Sequence, residues 1–514
     1  MADSVSHPLI KAGSMEKRDY QEKVVAEAAA ANVMCVLPTG LGKTPIAVMV
    51  AALRLSRFPD SRVLVMAPTR PLVSQHMKSF AGFFNMPDEK LGSVDGTVHP
   101  EERKEIYRDK VVIFATPQTV ANDLHRNRVS LKNFSLLVLD EVHHAVGKYS
   151  YLYVTKRYQK EADNPRLLGL TASPGWRRDK VDEVFRNAGM ENVCIMSEDD
   201  EEVRPWVRKK HMEWVEVSLP GSFMKIKLIL DEAFRKRAEK LAAFGLKKPP
   251  KYVNRRDLLD LQTQFHQAIR RGNRMAFSGA SLVAQLIKLE HARDLLGTQG
   301  ISQLEAYWSK LRDEDSRAAA RLLNDRDVSG AAFLTRKLFE AGSRHPKISE
   351  LCRIVHTQFA EKPDSRIIVF ANYRNSVREI VKVLSGVAGA RPAEFVGQKE
   401  GMSQKEQAET LDDFRKGKYN VLIGTSVAEE GLDIPAMDVA VFYEAVPSEI
   451  RAIQRRGRVG RQAAGRIIIL ITKGTRDEAY HWTSRNKESR MHSTLSDMRR
   501  GIGQDAPAVN EDGI

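Results

Sequence analysis

Between residues 33 and 196 the apolar positions do not alternate with polar ones. They come in short unbroken blocks at residues 33–37, 62–67, 111–115, 136–140, 167–171 and 193–196. Blocks of aliphatic and β-branched residues without a polar face are strands buried on both sides, as in a parallel sheet covered by helices. Helical stretches separate the blocks, so the segment predicts an α/β lobe. A second series at 366–370, 393–396, 420–424, 438–443 and 466–471 predicts another lobe of the same class. The alternating, β-prone stretch 211–218 is a candidate strand of that second lobe.

Residues 221–345 have a different character. Leu, Ala, Lys, Arg and Gln dominate, and the helical pattern breaks only near Pro249-Pro250 and at 297–300. This predicts a helical insertion with 24 Lys or Arg against 14 Asp or Glu, a surplus of ten. The implied organisation is a first lobe over 1–204 and a linker with the candidate strand over 205–220. The insertion follows over 221–345, then a second lobe over 346–487 and a partly disordered tail over 488–514.

A length of 514 residues suits about three domains of roughly 100–200 residues each. The hydrophobic fraction of 42% and charged fraction of 29% are those of an ordinary globular protein. No run of about 18 apolar residues exists to cross a bilayer, and the first twenty residues lack the apolar core of a signal peptide. A cytoplasmic protein is expected, nucleoid-associated in a prokaryote, with a monomer favoured. Cys35, Cys194 and Cys352 stand far apart, which argues against structural zinc or a disulfide framework and for small buried hydrophobes. The net charge of +15 suggests a polyanionic partner.

Two distant segments carry the chemistry. Leu37-Pro38-Thr39-Gly40-Leu41-Gly42-Lys43-Thr44 follows a strand block and precedes a helix. Glycines there turn the backbone amides toward phosphate, and the helix N-terminus adds positive potential. Thr39, Gly40, Leu41 and Gly42 would cradle a nucleotide, Lys43 would reach the β- and γ-phosphates, and Thr44 would hold Mg2+. At the end of another strand block stand Asp140, Glu141 and His143, where α/β sheets bind ligands. Asp140 would bind Mg2+, and Glu141 would orient or deprotonate the attacking water. Gln454-Arg455-Arg456-Gly457-Arg458-Val459-Gly460-Arg461, about four hundred residues later, supplies Arg458 and Arg461 as transition-state cations. A site split in this way reads as an ATP-driven motor.

From Arg18 to about Lys487 these residues resemble superfamily 2 helicases of the DExH type. Arg18-Asp19-Tyr20-Gln21 resembles the adenine-sensing Q motif, in which Gln21 would read the base edge. Ala67-Pro68-Thr69-Arg70, Thr116-Pro117, Thr171-Ala172-Ser173-Pro174, Ile368-Val369-Phe370 and Gly424-Thr425-Ser426 through Glu430-Gly431-Leu432-Asp433 resemble the remaining motifs. Within the superfamily, the stretch from Thr425 to Pro435, Phe442-Tyr443-Glu444, Gln454 to Arg461 and Thr472 to Tyr480 are most similar to the Hef/FANCM group of fork-DNA helicases.

The resemblance implies two RecA-like parallel-sheet lobes with an α-helical insertion, and ATP and Mg2+ as cofactors. It adds Gln454 to the catalytic set, Arg18, Gln21, Gly431 and Asp433 to the nucleotide site, and His143, Thr171 and Ser173 as coupling residues. Thr69, Arg70, Thr116, Thr425 and Ser426 would contact a DNA backbone. Arg255, Arg256, Arg270, Arg271 and Arg274 of the insertion would hold the arms of a branched substrate. For Tyr252, Phe265 and Phe277 core packing is expected over base stacking.

Branched or single-stranded DNA is the expected partner, with a separate nuclease or replication clamp as a further one. No nuclease signature is expected: Glu102-Arg103-Lys104 is followed by an aspartate one position too late, Asp109. Two other readings stay open, a double-stranded-RNA-dependent translocase of the Dicer or RIG-I type and a nucleic-acid-binding adaptor with a static nucleotide clamp.

Overall fold

The computed structural model describes residues 4–172, 175, 178–198, 200–207, 211–397, 401–425, 437–444, 465–478, 493 and 497. In the first lobe seven strands form one parallel sheet: β1 Val33–Val36, β2 Arg62–Met66, β3 Leu91–Val94, β4 Val112–Ala115, β5 Phe134–Asp140, β6 Leu167–Thr171 and β7 Asn192–Ile195. Their order is β3-β4-β2-β5-β6-β1-β7. Helix α1 Asp19–Ala30 precedes β1, and α2 Lys43–Arg57, α3 Arg70–Phe83, α4 Pro100–Asp109, α5 Pro117–His125, α6 Ser150–Glu161 and α7 Arg178–Asn187 connect the strands. The two sheet faces are distinct cores, one containing Cys35, Val48 and Phe80 and the other Met34, Tyr151 and Tyr158. This accounts for the unbroken apolar blocks, because successive residues of one strand fill opposite cores.

The pattern missed β3. It is a four-residue edge strand, Leu-Gly-Ser-Val, whose Gly92 lies against the Lys110 and Ile106 side chains. A Cβ there would meet Lys110 Cγ at 2.7 Å. Too few apolar positions remain to make a recognisable block.

The chain enters the second lobe through β8 His211–Val217 before the insertion begins. The insertion comprises α8 Gly221–Ala242, α9 Arg255–Arg270, α10 Ala276–Thr298, α11 Ile301–Arg312, α12 Arg317–Leu323 and α13 Arg326–Glu340. Its own core is built from Phe223, Leu230, Leu286 and Trp308, among others. The second lobe resumes with α14 Pro346–Glu361, β9 Ile367–Phe370, α15 Arg374–Leu384, β10 Pro392–Phe395, α16 Gln404–Arg415, β11 Val421–Gly424, β12 Val439–Phe442 and β13 Arg466–Thr472. The parallel sheet runs β10-β11-β9-β12-β13-β8. The candidate strand is thus an edge, paired with β13 along its whole length.

Buried polar contacts fasten the insertion to this lobe. Arg476, beyond β13, pairs with Glu290 and Asp294 of α10. Gln299, just past α10, bonds Glu444 and Ser376, and Glu444 also accepts the Asn372 amide. Burial pushes the Glu444 carboxyl up to about 7 against the pull of Gln299 and Lys347. Beneath them Lys347 is wholly buried, donating to the Tyr443 carbonyl at 2.7 Å and pairing with Asp477.

Cys35 and Cys194 are buried, as expected, whereas Cys352 is only half-buried. Arg103 is structural: its guanidinium grips both carboxylate oxygens of buried Asp123 at 2.8 Å. Phe265 packs in the insertion core, but Tyr252 and Phe277 are 67% and 59% exposed, correcting the expectation that they are core residues. They sit in the loop before α9 and at the start of α10.

Breaking a buried ion pair from one side strands the remaining charge, at a cost of about 3–5 kcal/mol. Lys347→Met is therefore expected to destabilise the protein by that order in denaturant unfolding, and adding Asp477→Leu to recover most of the loss. A Lys347→Met protein as stable as the parent would contradict the packing described.

Candidate nucleotide site

The site lies where β1, β6 and β5 end side by side. After β1 the loop turns through Gly40 and Gly42, at φ +91° and +88°, conformations that side-chain-bearing residues rarely adopt. Gly42 caps α2, whose first two residues are Lys43 and Thr44. Thr39, Gly40, Gly42, Lys43 and Thr44 are all at least partly exposed, whereas the Leu41 side chain is buried. Lys43 Nζ donates to the Leu37 carbonyl at 3.1 Å, and the Leu37 amide donates to the Thr171 carbonyl at 3.0 Å. The loop is thereby tied to the end of β6.

Gln21 was expected to read a base edge. In this structure Gln21 is buried and donates its amide to the Leu41 carbonyl at 3.0 Å, beside the Tyr20 hydroxyl, which donates to the same carbonyl at 2.6 Å. The absence of a side chain on Gly42 makes room for it, since a Cβ would meet Gln21 Nε2 at 2.3 Å. The segment braces the phosphate loop from behind. Arg18 contacts Glu16 and the Tyr20 hydroxyl, each at 3.2 Å, and lies 4.4 Å over the Trp206 ring.

β5 ends in Asp140, and Glu141 follows at φ +49°, a left-handed conformation costing a non-glycine residue on the order of 1–3 kcal/mol. The turn swings Glu141 toward His143, whose Nδ1 lies 3.3 Å from Glu141 Oε2 and 3.1 Å from Thr171 Oγ1. Glu141 Oε2 is nevertheless buried without a hydrogen-bond partner. Asp140 accepts from His76 of α3 at 2.7 Å, and its carbonyl accepts from the Tyr151 hydroxyl at 2.5 Å. Burial pushes the Asp140 carboxyl up, but His76, Lys43 and the Glu141 amide outweigh burial and hold it below the usual carboxylate range.

The Asp140 and Glu141 carboxylates, the latter with an unsatisfied buried oxygen, are hard oxygen donors suited to Mg2+, and the nearby Lys43 is a cation suited to a phosphate chain. His76 was missed by sequence reasoning. It lies in the middle of a helix, and nothing in its spacing from Asp140 signals the contact.

Family models match three consecutive parts of the chain: "Type III restriction enzyme, res subunit" over residues 14–175, "Putative ATP-dependent RNA helicase, helical bundle" over 222–340, and "Helicase conserved C-terminal domain" over 346–463. The crystal structure of the Pyrococcus furiosus Hef helicase domain is 43% identical and superposes with a TM-score of 0.73, covering 91% of this chain and 98% of that one. The chain belongs to the Hef/FANCM group of superfamily 2 helicases.

Curated relatives of this Hef-group helicase include "Putative ATP-dependent RNA helicase MJ1505" of Methanocaldococcus jannaschii, 38% identical over 96% of this chain and 62% of its own length. "ATP-dependent DNA helicase fml1" of Schizosaccharomyces pombe is 32% identical over 89% and 57%. "Fanconi anemia group M protein" of Gallus gallus is 29% identical over 97% and 27%. The chain thus spans less than two thirds of each of these relatives. Helicase domain models at both ends imply that this Hef-group helicase uses ATP.

The expected nucleic-acid contacts fall in different settings. Thr69 caps α3 with its hydroxyl buried and making no hydrogen bond, and half-exposed Arg70 lies 3.7 Å from Asp95. Thr116 and Thr425 are only 8% and 1% exposed, so their hydroxyls do not reach the surface in this structure. The Thr116 hydroxyl bonds that of Thr119 at 2.9 Å. Ser173, Ser426, Gly431, Asp433, Gln454, Arg458, Arg461 and the tail from 501 lie outside the described residues.

Glu141→Gln keeps the size of the side chain and removes the base, which should lower steady-state phosphate release by about 10²–10⁴-fold while leaving DNA binding intact. Lys43→Ala should abolish turnover with the same retention of DNA binding. Unaltered hydrolysis in either variant would contradict the assignment.

Proposed function

We propose that this chain is the motor of an ATP-dependent DNA helicase that translocates on forked or branched DNA during fork repair or recombination. The observation carrying this reading is a cavity of about 560 Å³ where α9, α10 and α11 of the insertion face the N-terminus of α15 in the second lobe. Arg255, Lys310 and Arg374 line it with Tyr307 and Tyr373, while Glu314 is engaged by Lys288 at 2.7 Å. Cations, aromatic faces and a helix N-terminus together suit a sugar-phosphate strand. Arg256, Arg270, Arg271 and Arg274 are exposed, the last three at the turn between α9 and α10 beside exposed Met275 and Phe277. That tip suits a duplex arm.

In this reading Lys43 and the loop amides bind the phosphates, Glu141 orients water, and Arg458 and Arg461 arrive from the second lobe as transition-state cations. Thr44 and Asp140 would hold Mg2+, which when bound neutralises phosphate charge. ATP draws the lobes together and hydrolysis releases them, advancing the motor along a strand. The names of the Schizosaccharomyces and Neurospora relatives, both ATP-dependent DNA helicases, favour DNA. A double-stranded-RNA-dependent motor is the second reading, favoured by the name of the family model over the insertion.

ATPase stimulation by single-stranded, forked and four-way-junction DNA and by double-stranded RNA tests the choice. Forked DNA is expected to stimulate most, and stronger stimulation by RNA would overturn the DNA reading. Replacing Arg255, Lys310 and Arg374 with Gln should weaken forked-DNA binding and flatten its dependence on log salt by about one unit for each phosphate-binding cation removed. An unchanged salt slope would remove the cavity from the substrate path.

A further inference from the structure

We propose that His76 is a positioning residue of the ATP site, holding Asp140 from the same helix whose N-terminus carries Thr69 and Arg70, the expected backbone contacts. The proposal rests on reading Asp140 as the metal-facing carboxylate. α3 starts at Arg70, and His76 follows six residues on, about 9 Å along the helix axis at 1.5 Å per residue. Its Nε2 lies 2.7 Å from Asp140 Oδ2, and both side chains are more than nine-tenths buried.

The other ring nitrogen selects the tautomer. Nδ1 is buried without a partner, and a proton there would be an unpaired buried donor. The ring hydrogen therefore belongs on Nε2, donated to the carboxylate. Holding Oδ2 fixes the rotation of the carboxylate, and with it the direction of the second oxygen. The Tyr151 hydroxyl fixes the backbone of the same residue through its carbonyl, and β5 pairs Asp140 with Leu170 of β6. Side chain and main chain of Asp140 are thus held from three elements, and α3 is the one of them that begins at the expected backbone contacts Thr69 and Arg70.

A shift of α3 when Thr69 and Arg70 engage a strand is delivered to Asp140 through one short hydrogen bond. DNA binding and Mg2+-nucleotide binding should then be coupled through His76, and that coupling is reciprocal by linkage. Residues that orient metal ligands from behind typically contribute 10–100-fold to metal affinity or activity.

The test is equilibrium binding of a fluorescent, non-hydrolysable ATP analogue titrated with Mg2+, with and without a single-stranded oligonucleotide. It compares the parent with His76→Leu, His76→Gln and Asp140→Asn. His76→Leu keeps buried volume without a donor, and is expected to raise the Mg2+ midpoint on the order of tenfold and to shrink the tightening of analogue binding by DNA. His76→Gln, whose amide nitrogen reaches the same oxygen, should restore most of both. If His76→Leu does not fold, the comparison of His76→Gln with His76→Ala carries the same prediction. An effect of Asp140→Asn with none in His76→Leu, or equal losses in His76→Leu and His76→Gln, overturns the role of His76 alone. No effect of Asp140→Asn on the Mg2+ dependence overturns the reading of Asp140 and the proposal with it.

Discussion

A parallel strand covered on both faces has room for charged groups only at its ends. In the first lobe β5 is buried along all seven residues and releases its acidic pair only at Asp140 and Glu141. β1 is equally buried and gives way directly to the phosphate loop, and β6 ends at Thr171. Because β5, β6 and β1 are neighbours, these ends stand in a row spanning about 10 Å at roughly 4.8 Å per strand. The glycine-bearing loop, Thr171 and the Asp140 carboxylate are thus set side by side by strand order. His143 then closes the row by spanning from Glu141 to Thr171.

Among the described residues of this row, Lys43 is the cation at the loop, and no arginine stands beside it. The second lobe repeats the same architecture, and its sheet is welded to the insertion by Arg476, Gln299 and the Glu444 carboxylate. Glu444 follows β12 and stands ten residues before Gln454, where the run leading to Arg458 and Arg461 begins. In the proposed function, a movement of the insertion on a branched substrate would bear on the chain that leads to those arginines. The insertion would act on the ATP site through the second lobe, and α3 would join that site to the substrate through the first.

Much of this was legible in the chain because it rests on local rules. Gly40 and Gly42 announce a phosphate loop by the backbone they permit, and an acidic pair after Leu136-Leu137-Val138-Leu139 announces a strand end. The switch to a basic helical pattern after residue 220 marked the insertion. What was hidden depends on packing between distant segments. His76 looks like any polar residue of an amphipathic helix until α3 is laid against β5. Gln21 carries the same amide whether it faces a base or the Leu41 carbonyl. Thr116 and Thr425 are turn residues by spacing, and only the fold shows that their hydroxyls are covered. The exposure of Tyr252 and Phe277 is likewise visible only in the folded bundle.

In the proposed function the ATP site is completed only when the second lobe closes on the first with substrate in place. Energy transfer between one dye on each lobe, attached at introduced surface cysteines, measures that closure directly. The account predicts a shorter distance when a non-hydrolysable ATP analogue and forked DNA are both present, with neither alone sufficing and with the change lost in Arg458→Ala. An equal shortening with the analogue alone, or none with both ligands, would contradict it.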